Sequence, residues 1–314
     1  MVELENMKHT ILGAGGSIGN ALAYKLIEKG ESLRLVSRSG FSINGAETVK
    51  ADITRYDETA ESVAHSDVIY LCAGLKYDIR VWREEWPKIM RNVIDACKKA
   101  GSKLIFFDNV YMYGKVDGKM TETTPINPCS KKGEVRAKID WMLEEEIVKK
   151  NITAIMARAA DLYGPWSTRS SVPWIMVFNN LMNGKKAQWL VNDHVPHSYT
   201  YTTDCADALY ILANDPESFN QVWHMPTTNP APDGRTFIEM TAKELGVSPK
   251  HMVLSKTMVR IGSIFDRTIA EIYEMLYQNQ YPYYFDSTKF NTRYAFTPKS
   301  YEDGIRETIG FLRK

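Results

Sequence analysis

The run His9-Thr10-Ile11-Leu12 passes without a break into Gly13-Ala14-Gly15-Gly16-Ser17-Ile18-Gly19, and an amphipathic stretch over 17–29 follows, closed by Gly30. Few local patterns restrict a fold more. Glycine tolerates positive φ and lets the backbone approach a pyrophosphate closely. A helix that begins at such a turn presents free N–H groups and the positive end of its dipole to an anion. Strand before and helix after raise this above an incidental glycine-rich turn, and the reading is dinucleotide binding by Gly13, Gly16, Ser17, Ile18 and Gly19. Glycines 13, 16 and 19 fit one spacing and 13, 15 and 19 another, so the register stays open.

Short apolar runs continue at Ser32–Ser37, Glu47–Ile53, Asp67–Ala73, Lys103–Asn109 and Ile152–Ala157. Between them lie a polar helix near 57–65 and a longer one carrying Trp82, Trp86, Ile89, Met90, Val93 and Cys97 at helical spacing, with Pro87 expected in its first turn. Strand–helix alternation of this kind predicts an α/β fold, a doubly wound parallel sheet of the Rossmann type. After about residue 165 the alternation fades and Trp, Pro, Asn and His become frequent. The expected division is a nucleotide-binding domain over 1–165, with return segments near 198–225, and a smaller, irregular substrate-binding domain over 166–314. Helices are expected there at 236–245 and 258–278.

Charge excludes some partners. Lys plus Arg number 39 against 38 Asp plus Glu, so no global basic field exists to hold nucleic acid or an anionic membrane. No run approaches the roughly 20 apolar residues that span a bilayer. Cys72, Cys97, Cys129 and Cys205 are scattered without a C-x-x-C pair, and the six histidines are dispersed. No metal site is therefore expected, and a reducing, cytoplasmic setting fits best.

The second strand ends in Leu35-Val36-Ser37-Arg38-Ser39. A reader of the ribose 2′-hydroxyl would be an acid about 20 residues past the turn, and none is there. Ser37 and Arg38 suit a 2′-phosphate instead, which places NADP ahead of NAD.

Taken in order, several stretches resemble the extended branch of the short-chain dehydrogenase/reductase superfamily, the NAD-dependent epimerase/dehydratase-like proteins. They are Gly13–Gly19, Lys50-Ala51-Asp52-Ile53, Cys72-Ala73-Gly74, Asn109-Val110-Tyr111-Met112-Tyr113-Gly114, Ala157–Pro165, and a tail with Phe285–Lys289, Phe296-Thr297-Pro298 and Asp303-Gly304. The resemblance covers nearly the whole chain. It implies that Asp52 and Ile53 meet the adenine and that Cys72, Ala73 and Gly74 flank the cofactor ribose.

The family's chemistry uses a Tyr-x-x-x-Lys pair on one helical face and an upstream Ser or Thr. This chain departs at all three positions. Alignment through Gly133 puts Lys132 in the tyrosine slot and Arg136 in the lysine slot, and counting back from Tyr113-Gly114 puts Asn109 in the hydroxyl slot. By that resemblance Arg136 holds the ribose but cannot move a proton. Lys132, lowered from about 10.4 by Arg136 and a nicotinamide cation, is the expected acid/base. Asn109 would donate to the substrate oxygen, and Tyr111 or Tyr113 would supply a phenol. On periodicity alone, Lys131, Lys132, Arg136 and Lys138 form a solvated basic face instead.

Trp166, Trp189, His197 and Tyr199 are the expected substrate contacts, since aromatic bodies with polar handles suit a sugar or a flat molecule. The favoured reading is an NADP-dependent oxidoreductase acting on a carbonyl or alcohol of a small molecule. Two alternatives stand beside it: a non-catalytic NAD(P)-binding sensor module, and a nucleotide-sugar epimerase/dehydratase. A homodimer is expected by analogy with the family.

Overall fold

The computed structural model describes residues 7–167 and 171–313. Seven strands build the central sheet: β1 (Lys8–Leu12), β2 (Ser32–Ser37), β3 (Glu47–Lys50), β4 (Val68–Leu71), β5 (Lys103–Asp108), β6 (Ala154–Arg158) and β7 (Gln221–His224). Their spatial order is β7-β6-β5-β4-β1-β2-β3, and every neighbouring pair is parallel. Strand order reverses between β1 and β4. In open parallel sheets that is where a crevice forms beyond the carboxyl ends of the strands.

Period-two alternation sorts the strand residues between two cores. Ile11, Leu35, Tyr70, Ile105 and Ile155 face α1 (Ser17–Glu28), with Leu209 and Leu212 from the distant α5 (Thr202–Asn214). Leu12, Val36, Leu71, Phe106 and Met156 face α2 (Tyr56–Val63), α3 (Ile79–Ala100) and α4 (Lys131–Val148). The sheet is thus covered on both faces, which explains its continuous apolar runs. Residues 202–224 return from the C-terminal part to supply α5 and β7.

Two helix boundaries differ from expectation. Pro87 lies inside α3 rather than in its first turn. The true start is set by Asp78, whose side chain accepts from the Arg80 N–H. Pro87 forfeits one backbone hydrogen bond, but Trp82, Trp86, Ile89, Met90 and Val93 bury one continuous face and carry the helix through it. The expected helix over 258–278 is broken at Asp266, which is extended at φ −131°. Its carboxylate caps Thr268 and Ile269. The segment therefore folds as two short helices, Lys256–Phe265 and Arg267–Tyr273.

The remainder of the C-terminal part surrounds a third core of Tyr163, Phe178, Trp189, Tyr199, Tyr201, Phe237, Tyr301 and Ile305. Within it, Asp161–Tyr163 pairs in parallel with Tyr199–Tyr201. Among the described residues no helix is long and apolar enough to cross a membrane.

His9 in β1 is fully buried, with Nδ1 3.0 Å from the Tyr70 hydroxyl. Burial holds its imidazole down at about 4, against the upward pull of Asp67. The unfolded chain takes that proton near pH 6.5 and the folded one only near 4, so stability is lost as pH falls through this window. The full effect is roughly 3 kcal/mol. His9→Gln removes it: urea unfolding should show a wild-type advantage at pH 7 that shrinks by about 2 kcal/mol at pH 4.5. An advantage independent of pH would refute the assignment.

Candidate functional site

The glycine turn occupies the crevice between the ends of β1 and β4. Gly13 has φ +100°, and a Cβ placed on it would stand 2.4 Å from the Ala73 Cα. A Cβ on Gly19 would stand 2.8 Å from the Gly13 carbonyl oxygen. Gly15 has φ +89°, whereas Gly16, at φ −83°, precedes α1 without positive φ. Glycines 13 and 19 are therefore required by close approach and Gly15 by its backbone angle. The first turn of α1 carries no acid and has no side-chain cap, so its leading N–H groups are left for an anion. Asn20, which the sequence reading missed, accepts the Gly15 N–H at 3.1 Å and braces the turn. An amide one turn into the helix was the available signal.

The other expected cofactor neighbours line up along the same carboxyl edge. The Ser37 hydroxyl accepts the Phe41 N–H, and Arg38 is exposed. Asp52 accepts from the Thr54 N–H and hydroxyl. Burial works against its charge, but these bonds and the nearby Arg38 and Arg55 carry its carboxyl below the usual range. The Ile53 carbonyl accepts the Asn92 amide. Cys72 and Ala73 are half-buried and Gly74 is exposed; burial pushes the Cys72 thiol up to about 12.

The substituted helix pair is arranged differently from expectation. Ser130 caps α4, and Lys132 then points into the protein with no exposure. Its ammonium donates to the Glu271 carboxylate at 2.6 Å, the Glu274 carboxylate at 2.7 Å and the Glu271 carbonyl at 2.9 Å. All three donors are used. The charged groups it meets are two carboxylates, and no N–H of the ammonium is left over. Arg136 is also covered: it lies 2.9 Å from Asp108 with its guanidinium over Trp86 at 4.0 Å and Trp82 at 4.7 Å. Its side chain is 7% exposed, and its Nε and Nη1 have no hydrogen-bond partner among the described residues. The solvated-face reading fails as well, because only Lys131 and Lys138 of the four are exposed.

Asn109 Oδ1 accepts the Tyr111 N–H at 2.9 Å and so shapes the turn after β5. Tyr111 stacks on Trp82, and its phenol pairs with that of Tyr77. Tyr113 lies deeper. Its hydroxyl accepts from Arg158 at 2.7 Å and pairs with His224 at 2.9 Å, and Arg158 in turn pairs with Asp140. Burial pushes the Asp140 carboxyl up to about 7 against the pull of Arg158.

Of the expected substrate contacts, three are taken up in aromatic packing. Trp189 and Tyr199 are buried in the third core, and the Trp189 indole is pressed against Gly234. Trp166 stacks on Tyr24 of α1 and meets Phe311 in the C-terminal helix. His197 differs: its Nε2 is 3.0 Å from Asp161 Oδ2, beside the ends of β5 and β6. Asp161, Tyr77, Glu271 and Glu274 are site neighbours that the sequence reading did not select. Among the described residues no group of His, Cys, Asp and Glu could hold a metal ion.

Residues 9–224 match the NAD dependent epimerase/dehydratase family. The sequence matches no curated protein. Among solved structures, the chain is similar to a dTDP-glucose 4,6-dehydratase from Bacillus anthracis in complex with NAD, at 17% identity and a TM-score of 0.80, covering 98% of this chain and 96% of that one. It is also similar to a UDP-glucuronic acid 4-epimerase from Bacillus cereus in complex with UDP-glucuronic acid and NAD, at 16% identity and a TM-score of 0.80, covering 98% and 99%. A UDP-N-acetylglucosamine 4-epimerase from Methanobrevibacter ruminantium M1, in complex with UDP-N-acetylmuramic acid, matches at 15% identity and a TM-score of 0.80, covering 99% of each chain.

Proposed function

The chain belongs to the NAD dependent epimerase/dehydratase family, and from that premise we propose that it holds a nicotinamide dinucleotide along the carboxyl edge of its sheet and acts on an alcohol or carbonyl of a sugar-like small molecule. One observation carries this reading. Gly13 is pressed against Ala73 where the strand order reverses, directly before an uncapped, acid-free helix start. That cradle fits a diphosphate. Gly13, Gly16, Ser17, Ile18 and Gly19 would hold the pyrophosphate, Asp52 and Ile53 the adenine, and Cys72, Ala73 and Gly74 the ribose. When bound, the nicotinamide supplies hydride transfer at a carbinol carbon. Epimerisation or dehydration through a transient ketone fits the nucleotide-sugar complexes named among the solved structures.

Arg38 supports a 2′-phosphate, because it is exposed at the end of β2 with no carboxylate within ion-pairing distance among the described residues. Two of the three solved structures named above carry NAD. Calorimetry with NAD, NADH, NADP and NADPH tests the binding reading. Arg38→Ala should weaken NADP binding about tenfold, or about 1.4 kcal/mol, and leave NAD within threefold. Equal losses for both would remove Arg38 from the site. Failure to bind any of the four would remove the function.

The burial of Lys132 and Arg136 supports a second reading, a non-catalytic dinucleotide-binding module. It requires binding without turnover across UDP- and dTDP-sugars and simple carbonyls.

A further inference from the structure

With Lys132 and Arg136 tied into ion pairs, a redox step on an alcohol needs another group to take the hydroxyl proton. Glu271 uses one carboxylate oxygen on both Lys132 and the Ile79 N–H, and Glu274 divides its two oxygens between Lys132 and the Lys131 N–H. Asp108 is buried against Arg136. Burial, and after it the charge of Asp161, pushes the Tyr111 phenol up, so that it stays a donor; Tyr283 behaves the same way. Asn109 has no proton-accepting base.

Asp161 is built otherwise. It begins the strand that pairs with Tyr199–Tyr201, three residues past the end of β6. Its Oδ2 is held by His197, whose ring lies between Tyr283 at 4.4 Å and Tyr199 at 4.7 Å. Its Oδ1 has no hydrogen-bond partner among the described residues, and 21% of the side chain is exposed, against 1% for His197. The histidine thus stands behind the carboxylate, and the carboxylate faces outward beside the phenols of Tyr77 and Tyr111.

We propose that Asp161 is the catalytic residue that receives the substrate's hydroxyl proton, positioned by His197, in place of the helix pair. The inference rests on the nicotinamide reading above. The O–H proton passes to Asp161 Oδ1, the carbinol hydrogen leaves with its electron pair as hydride to the oxidised nicotinamide, and a carbonyl remains. The reverse direction returns both. A carboxylate acceptor among phenol donors suits a polyhydroxylated group, and it repels a phosphate; the sugar end of a substrate belongs here and its anionic end elsewhere.

The test uses the full chain loaded with NAD and a panel of UDP-glucose, UDP-glucuronic acid and dTDP-glucose. Calorimetry of NAD binding, made separately, judges the cofactor reading by itself. Asp161→Asn should leave NAD and sugar-nucleotide affinities within about threefold and lower turnover by about 10²–10⁴-fold. His197→Phe keeps the ring stack but loses the donor, and should fall nearly as far. His197→Gln restores a donor at that point and should recover most of the rate, which a packing role would not predict. Imidazole nitrogen spectra add a readout independent of turnover: the panel sugar that binds should shift the His197 signal in the wild type and not in Asp161→Asn. Wild-type rates in Asp161→Asn overturn the proposal. So does NAD binding with no turnover by either protein, which leaves cofactor binding standing.

Discussion

Gly13→Ala is expected to yield a protein that binds no nicotinamide dinucleotide and unfolds at markedly lower urea. Two costs combine. At φ +100° an L-residue is strained by about 1–2 kcal/mol. The added methyl would also lie 2.4 Å from the Ala73 Cα and 2.5 Å from its nitrogen, both backbone atoms that cannot rotate away. Forced overpacking of that kind costs about 1–3 kcal/mol. A loss of about 3 kcal/mol, together with a prised-open crevice, should weaken binding more than a hundredfold. Gly16→Ala separates fold from site. Its φ of −83° suits alanine, and its nearest neighbour would be the Gly13 oxygen at 3.4 Å. Stability should therefore change by no more than about 0.5 kcal/mol. Binding should still fall more than about tenfold, because the methyl would stand where the diphosphate must approach. Wild-type affinity in Gly16→Ala would mean that this turn does not cradle phosphate.

What was legible in the sequence was local. Ser32–Ser37 is a strand with the expected bounds, because its residues report their own burial. The glycine turn was readable because its pattern lies within seven residues, although the close approach that Gly13 permits is to Ala73, 60 positions on. The unread features are those whose partners lie far along the chain. Lys132 meets Glu271 and Glu274, 139 and 142 positions away, and no periodicity on α4 could announce them. Trp189 and Tyr199 were expected at a substrate cleft, but aromatic bodies fill a core by the same physics that fills a cleft, and the third core takes them. Asp161 stood inside a stretch already noticed. What marks it out is His197, 36 positions on, and only the pairing of the two short strands joins them. Family resemblance pointed to Lys132 and Arg136, but it could not tell that each would lie in an ion pair.

Lys132→Met should destabilise the protein by about 3–5 kcal/mol, the usual cost of breaking a buried ion pair from one side. The size follows from what is left behind. Glu271, 8% exposed, and Glu274, 22% exposed, would face each other across a methionine with no cation between them, and the Glu271 carbonyl would lose its donor. The same carboxylates receive the Ile79 N–H at the start of α3 and the Lys131 N–H at the start of α4. Repulsion between them should therefore loosen the 267–280 segment from both helices, visible as faster amide exchange there before global unfolding. The triple variant Lys132→Met, Glu271→Gln, Glu274→Gln removes all three charges while its amide oxygens still accept both N–H groups. It should regain stability to within about 1–2 kcal/mol of wild type, since a buried ion pair contributes little beyond neutral packing. Turnover in that triple variant discriminates between two roles for Lys132. A strut gives back activity together with stability, whereas an acid/base leaves a stable protein that does not turn over. The geometry, with every N–H of the ammonium engaged, favours the strut; a single Lys132→Met variant within about 1 kcal/mol of wild type would contradict it.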